Sequence, residues 1–303
     1  MQPTSQPLKN DNPEGSSASE SPLLTLITPC FNSERFIAQC LQQVVEQWVP
    51  GIEHLVMDGA SKDSTVDIIR RFAEEHSYIR FVSEPDSGQS NAMNKGIAAA
   101  KGRFISFLNV DDKLEPDALP YVMQELAHLT DRHLLVGNCK VEVGDGKMLP
   151  LRKPEHCGYP QILEIWRQDV FPPNPVSYYY ARHLHELAGM YDEEEHFVLD
   201  YEMMVRLLQH AEVKYVNRTL GTFVQHHDTK TFQNTSTSGI ISKQHIFDRY
   251  AVRQPLLRRW RLKAMFFYHY KLRRSNNPVI FFGLRPLYAL RRIAHKLGFS
   301  SQQ

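Results

Sequence analysis

The sequence has 303 residues, 42% of them apolar, and a formal net charge of +1. That is enough apolar material for a sizeable core in one large domain, or in one domain with extensions; no segment approaches the roughly 18 uninterrupted apolar residues of a membrane-spanning helix, which excludes that class. The near-neutral total hides an asymmetry: from Arg249 onward there are 13 Lys/Arg and no Asp/Glu, leaving 22 basic against 34 acidic residues before it. An acidic body with a basic tail points to an anionic partner for the tail.

Residues 1–21 are rich in Ser, Pro, Asn, Gln and Glu and have no apolar core of a signal peptide, so a disordered tail is expected. A first short strand is predicted over Leu23–Thr28. Asn32-Ser33 then offers a helix cap before a periodic segment from Glu34 to Gln47. Ile52–Met57 reads as a second strand ending at Asp58-Gly59, Ser64 opens a helix to about His76, and Ile79–Ser83 is a third strand. Gln89–Ala100 is helical, Arg103–Asn109 is a fourth strand, and Pro116 opens the next helix at a position proline favours. Strands alternating with helices at this spacing indicate βαβ units and a mostly parallel sheet. Ligands of such sheets bind beyond the carboxyl ends of the strands, where Asp58, Glu84 and the pair Asp111-Asp112 fall.

The pattern then changes. His133–Val143 and Val213–Val224 read as strands, Val176–Tyr180 as an extended run after the Pro172-Pro-Asn-Pro loop, and Asp200–Gln209 as a helix. Cys30, Cys40, Cys139 and Cys157 form no CxxC pair and are expected to be reduced thiols of a cytoplasmic protein.

The sharpest chemical feature is "NVDD", Asn109 to Asp112. Adjacent carboxylates at a strand end are costly unless a cation neutralises them, and Mg²⁺ or Mn²⁺ is commonly held by one or two carboxylates plus substrate phosphates. The alternative is a turn former before the next helix.

Four motifs stand in order on successive strands: "TPCFN" after the first, "MDGASKDST" after the second, "SEPDSGQSNAMNKG" after the third and "NVDD" after the fourth. Together they resemble the family-two inverting glycosyltransferases of GT-A fold, over about residues 23–231. The resemblance implies an α/β fold with a Rossmann-like central sheet: a catalytic domain over 22–235, with a nucleotide-sugar half over 22–130 and an acceptor half over 131–235, followed by a basic helical extension over 236–303. It implies transfer from a nucleotide-sugar donor, UDP- or dTDP-linked, to a glycan or lipid-linked acceptor in surface polysaccharide synthesis.

The same resemblance places Thr28, Phe31 and Asp58 near base and ribose, Glu84 and Asp86 on the donor loop, and Asn91, Asn94 and Lys95 at the following helix. It gives Asp112 a metal-ligand role and Asp111 a contact to ribose or a metal-bound water. Asp200, at the start of "DYEMMVRLL", matches the base that deprotonates the acceptor, with Glu202 as the alternative. His226 of "FVQHHDTKT" matches a further metal or diphosphate contact, with His227 as its rival, and Lys230 a phosphate contact. Three positions depart from the family pattern, with Asn91 and Asn109 where Asp is common and Leu199 where Glu is. The departures at 109 and 199 leave open a catalytically silent scaffold; a nucleotidyltransferase of similar fold is the other enzyme reading.

The tail mixes Arg and Lys with Trp, Phe, Tyr and Leu. It is expected to lie on an anionic membrane surface, peripheral on the cytoplasmic face, or to pack on the domain or on a second subunit. No nucleic-acid recognition motif accompanies the charge.

Overall fold

The computed structural model describes residues 21–144, 146–226 and 237–269. The expected disordered tail (but for Ser21), His227, Lys230 and the chain after His269 lie outside the described residues.

The first half alternates as its periodicity predicts: β1 (Leu24–Cys30), α1 (Ile37–Gln47), β2 (Ile52–Asp58), α2 (Thr65–Glu75), β3 (Ile79–Ser83), α3 (Gln89–Ala99) and β4 (Phe104–Phe107). All seven residues of β2 are buried, as expected for a central strand covered on both faces. Helix α1 buries Ile37, Cys40, Leu41 and Val44, the i, i+3, i+4, i+7 stripe of an amphipathic helix. Helix α3 lies so close to β1 that a Cβ on Gly96 would stand 2.6 Å from the Ile27 side chain; only glycine permits that approach.

The second half comprises β5 (Lys113–Leu114), α4 (Ala118–Leu126), β6 (His133–Val143), β7 (Lys147–Met148), β8 (Tyr178–Ala181), α5 (Leu184–Ala188), α6 (Leu199–Leu207), β9 (Glu212–Gln225), α7 (Thr237–Ala251) and α8 (Leu256–Phe267). Pro116 does not open α4, which starts two residues later after Asp117 at φ 56°. The two-residue β5 was not foreseen, being too short to carry a period.

Among the described residues the strands form one sheet in the order β3-β2-β1-β4-β8-β6-β9-β5, with β7 on β6. The pairs β1–β2, β2–β3 and β1–β4 are parallel. Strand β8 is antiparallel to β4 and β6, and β9 is parallel to β6. Strands β1 to β4, β6 and β9 therefore all run one way, and one rim collects their carboxyl ends together with the amino end of β8. Strand β5 pairs with β9 at Lys113–Thr222 and Leu114–Gly221, which draws Asp111 and Asp112 against the end of β9.

Helix α6 is buried almost all round, because α7 and α8 cover it and the segment around Trp166. Ile246, Phe247, Tyr250, Leu262 and Phe266 are buried there, and Phe247 stacks on Phe266 at 4.5 Å. Of the alternatives for the tail, packing on the domain thus describes one face of residues 246–266. All four cysteines are free and buried, and no described helix is long and apolar enough to cross a membrane.

Candidate active site

The loops after β1 and β2 are laced together by short polar side chains that bond backbone across the gap. Asn32 N–H donates to Ser61 Oγ and Lys62 N–H to Asn32 Oδ1; Glu34 N–H donates to Asp63 and Ser64 N–H to Glu34. The lacing holds Asn32 and Ala60 at positive φ, 47° and 62°, a conformation non-glycine residues seldom adopt. Above it Phe31 is 60% exposed. Phe31 and Asp86 both stand over Gly59, where a Cβ would meet Asp86 Oδ2 at 2.5 Å. An exposed aromatic ring and a carboxylate thus pack directly over this bare glycine, and the outer side of the ring borders the slot expected to take the donor base.

Two of the residues expected beside that slot face inward. Thr28 is fully buried, its hydroxyl 2.9 Å from His54 Nε2 within the core. Its side chain therefore supports the sheet, which corrects the expected donor contact. Asp58 is 2% exposed and accepts from Ser61 N–H, the Ser61 hydroxyl and the Ser83 hydroxyl. It closes the β2 turn, and only reorientation of those hydroxyls would free an oxygen for a ligand.

The donor loop after β3 is internally tied. Lys95 Nζ meets Glu84 Oε1 at 2.8 Å and donates to the Pro85 carbonyl at 2.8 Å. Asn94 exchanges two hydrogen bonds with the Tyr191 backbone, 2.8 and 3.0 Å, in the manner of a strand pair. Lys95, Glu84 and Asn94 thus hold this loop and join the two halves. Asn91, Asn94 and Ser87 all donate to Glu193. A small polar cleft lies between Ser87–Asn91 and the 193–199 loop, with Leu199 in its wall.

Asp111 and Asp112 differ sharply. Asp112 is 2% exposed. Its Oδ2 accepts from Asn109 Nδ2 and Asn174 Nδ2, both at 2.8 Å, and its Oδ1 accepts from Val224 N–H at 3.1 Å. It knots together the end of β4, the 172–175 loop and β9. Asp111 reaches outward to His226 Nε2 at 3.0 Å. The expectation that Asp112 itself faces a ligand is corrected: its oxygens are taken up by three N–H donors, and Asp111 presents the accessible carboxylate. Burial pushes the Asp112 carboxyl up to about 8, with Asp111 next door adding to the rise. Burial also raises Asp111, opposed by His226. A carboxylate pair that resists ionisation is one that a cation would relieve.

Sequence reasoning missed Asn174. The loop "PPNP" was visible, but nothing local marks its asparagine, 3% exposed, as the partner of a residue 62 positions away.

Asp200 sits in the first turn of α6. Its Oδ1 is buried without a hydrogen-bond partner, as is the Tyr191 hydroxyl. Burial raises its carboxyl to about 7, offset in part by the Tyr178 and Tyr191 hydroxyls alongside. Tyr178 follows Asn174 by four residues, so at most roughly 14 Å of chain separates the Asp112 knot from the tyrosine beside Asp200, and the 3₁₀ turn over Pro175–Ser177 shortens it. Glu202, the alternative base, is excluded from that role. It is 3% exposed, bonded to Arg206 at 2.7–3.0 Å, and accepts from the Tyr250 hydroxyl.

A family model described as "Glycosyl transferase family 2" matches residues 25–173, the span that contains the rim from β1 to the 172–175 loop. Residues 25–173 belong to this family. The chain is 26% identical over 219 residues to a chondroitin synthase of Pasteurella multocida (strain Pm70), covering 71% of this glycosyltransferase but 22% of that relative. It therefore spans under a third of the length of the first curated relatives it matches. Among solved structures, S. aureus TarS 1–349 in complex with UDP-GlcNAc superposes with a TM-score of 0.63 at 14% identity, over 88% of this chain and 78% of that one. The mannosyltransferase PcManGT from Pyrobaculum calidifontis, in complex with GDP-Man and Mn²⁺, gives 0.57 at 18% identity, over 93% and 82%. These likenesses establish the GT-A fold of this glycosyltransferase.

Proposed function

We propose that this glycosyltransferase moves a sugar from a nucleoside-diphosphate donor, UDP- or dTDP-linked, to a hydroxyl of a glycan or lipid-linked acceptor, with inversion, in polysaccharide assembly. The observation that carries the reading is the convergence of Asp111 and His226, 3.0 Å apart, at the rim where β4 and β9 end. Their oxygen and nitrogen donors suit Mg²⁺ or Mn²⁺. Among the described residues no third His, Cys, Asp or Glu joins them, so phosphate oxygens and water would complete the shell, as such ions usually require. When bound, the cation would neutralise charge growing on the departing diphosphate.

The chain's own residues supply the rest. Phe31 offers a ring face to the donor base over Gly59, and Asp58 and Asp86 border that slot. Asp112 holds Asp111 in place through the knot with Asn109, Asn174 and β9. Asp200, raised to about 7, is poised to accept the proton of the acceptor hydroxyl; its orphaned Oδ1 and the Tyr191 hydroxyl are the unfilled acceptor and donor that such a hydroxyl would satisfy. The single proposed base, together with the family the chain resembles, favours a single displacement. The scaffold reading loses its motive, since Asn109 serves Asp112 as a hydrogen-bond donor and Leu199 is core.

The test is a thermal-shift panel of nucleotide sugars with and without Mn²⁺, followed by turnover with the donor that binds. A stabilising shift with one donor that needs the cation, lost in Asp111→Ala, supports the reading. Equal shifts with and without Mn²⁺ in both proteins would remove the metal assignment.

A further inference from the structure

Helix α8 carries two apolar faces. Leu262 and Phe266 point inward and are buried, and Arg261 is tied inward to Glu164. On the other side Leu256, Leu257, Trp260 and Phe267 are 67, 86, 68 and 53% exposed, and their i, i+1, i+4, i+11 positions fall on one side of the helix. Exposed Lys263 stands on that side between Trp260 and Phe267, and exposed Val252 and Arg253 lie in the turn before the helix. Four large apolar side chains exposed on one side of a helix mark a docking face.

The charge pattern selects the occupant. No Asp or Glu follows Arg249, so α8 and the turn before it bring only basic charge to the rim of this face. A second copy meeting this face across a two-fold axis would set basic rim against basic rim. Residues 270–303 hold seven more Lys/Arg and no acid, so the chain's own continuation meets the same repulsion. A nucleic acid would satisfy the charge but not four exposed apolar side chains. An anionic lipid surface satisfies both, taking Leu257 and Trp260 into the acyl boundary while Arg253 and Lys263 meet headgroups. Tryptophan, with an apolar ring and one N–H, suits that boundary.

We infer that the outer face of α8 docks this glycosyltransferase on an anionic bilayer surface, Leu256, Leu257, Trp260 and Phe267 entering the interface. The inner face of the same helix, with α7, is anchored on the acceptor half through Arg261–Glu164 and Tyr250–Glu202. The acceptor half is therefore held at the surface, where a lipid-linked acceptor would be met. The docking itself does not rest on the proposed chemistry.

The experiment is flotation of the full-length protein with vesicles of phosphatidylcholine alone and of phosphatidylcholine with a third phosphatidylglycerol. Binding to the anionic vesicles is expected, weakening with added salt, with little binding to the neutral ones. The double variant Leu257→Glu/Trp260→Glu should lose binding at least roughly tenfold, with an unchanged melting temperature because both side chains are exposed. Light scattering of both proteins accompanies it. Failure to float with anionic vesicles overturns the inference, and so does retained flotation by the double variant. A dimer that the double variant dissolves, without vesicle binding by either protein, would assign the face to a second copy instead.

Discussion

The two halves of the sheet finish their rims differently. In the half built from β1 to β4, the polar contacts tie neighbouring strand-to-helix loops: Asn32 to Ser61 and Lys62, Glu34 to Ser64, Lys95 to Glu84. Each contact follows from a motif at the end of a strand. In the other half the site is assembled from far apart. Asp112 draws on Asn174 and on Val224, 62 and 112 residues away, and Asp111 meets His226 at a separation of 115. A rim made by adjacent loops forms with the sheet itself; a rim made by distant segments needs the whole second half in place. The donor slot should thus survive perturbations that disable the cation and base positions.

The largest effect expected of any test of that contrast is at the acid pair. Asp111→Asn should cut turnover about a thousandfold or more, the scale of lost charge stabilisation, with the melting temperature held or raised because a partly buried carboxyl that resists ionisation is replaced. Asp112→Asn should do the reverse in kind. Above about pH 8, where the parent carboxyl is ionised, an amide there cannot accept from Asn109, Asn174 and Val224 N–H together, so a buried donor is left unpaired at about 1–3 kcal/mol, and the melting temperature falls by several degrees. Turnover falls as well, by loosening Asp111. Equal melting temperatures for the two variants would erase the distinction drawn between them.

Next in size is Asp200→Asn, expected to lower kcat about 10²–10⁴-fold while donor affinity is kept. The folded-state carboxyl, at about 7, lies above its unfolded value near 3.8. Its proton is held more tightly when folded, so stability is greatest below about pH 4 and declines as pH rises through 7. Activity runs the opposite way, rising through about pH 7 as the base ionises. Asp200→Asn should melt higher than the parent at pH 8 and alike at pH 4. Tyr191→Phe removes a hydroxyl that lowers the Asp200 value, so the rise in kcat should move to higher pH. An unmoved profile would mean that Tyr191 does not touch the base.

How much of this was legible in the sequence follows the same division. The order β1 to β4 and their helices read directly from period and turn residues, because each βαβ unit is local. "NVDD" marked the acid pair but not which member faces out; that is decided by Asn174 and β9, which no local pattern joins to it. Thr28 was misplaced for a related reason. A motif locates a residue at a strand end, whereas the pleat decides which face its side chain takes, and Thr28 falls on the face covered by α1. Asn109 and Asn91 looked like losses of charge. Each is an amide that donates to a carboxylate, Asp112 in one case and Glu193 in the other.

That last point is testable at smaller scale. Asn109→Asp keeps the shape but puts a third carboxylate against a buried one and removes its donor. The cost expected is about 1–3 kcal/mol above about pH 8, where the Asp112 carboxyl is ionised. It should shrink as pH falls through 8, since a protonated Asp112 is itself a donor. A variant as stable as the parent at pH 9 would show that the asparagine is not what supports Asp112.

The smallest expected difference concerns the seam between the halves. Two features cross it above α3: the paired bonds of Asn94 with the Tyr191 backbone, and the exposed Glu193 carboxylate held by Ser87, Asn91 and Asn94. A half-buried side chain that satisfies both N–H and C=O of one residue leaves two backbone groups unpaired when removed, worth about 1–2 kcal/mol. Exposed polar contacts are screened by water and contribute little. Asn94→Ala should therefore lower the melting temperature and speed hydrogen exchange at the Tyr191 amide. Glu193→Ala should leave both where they are, although the asparagine bonds it breaks are more numerous. If Glu193→Ala proved the more destabilising of the two, the seam would be held by charge at its surface, and the donor and acceptor halves would separate with rising salt.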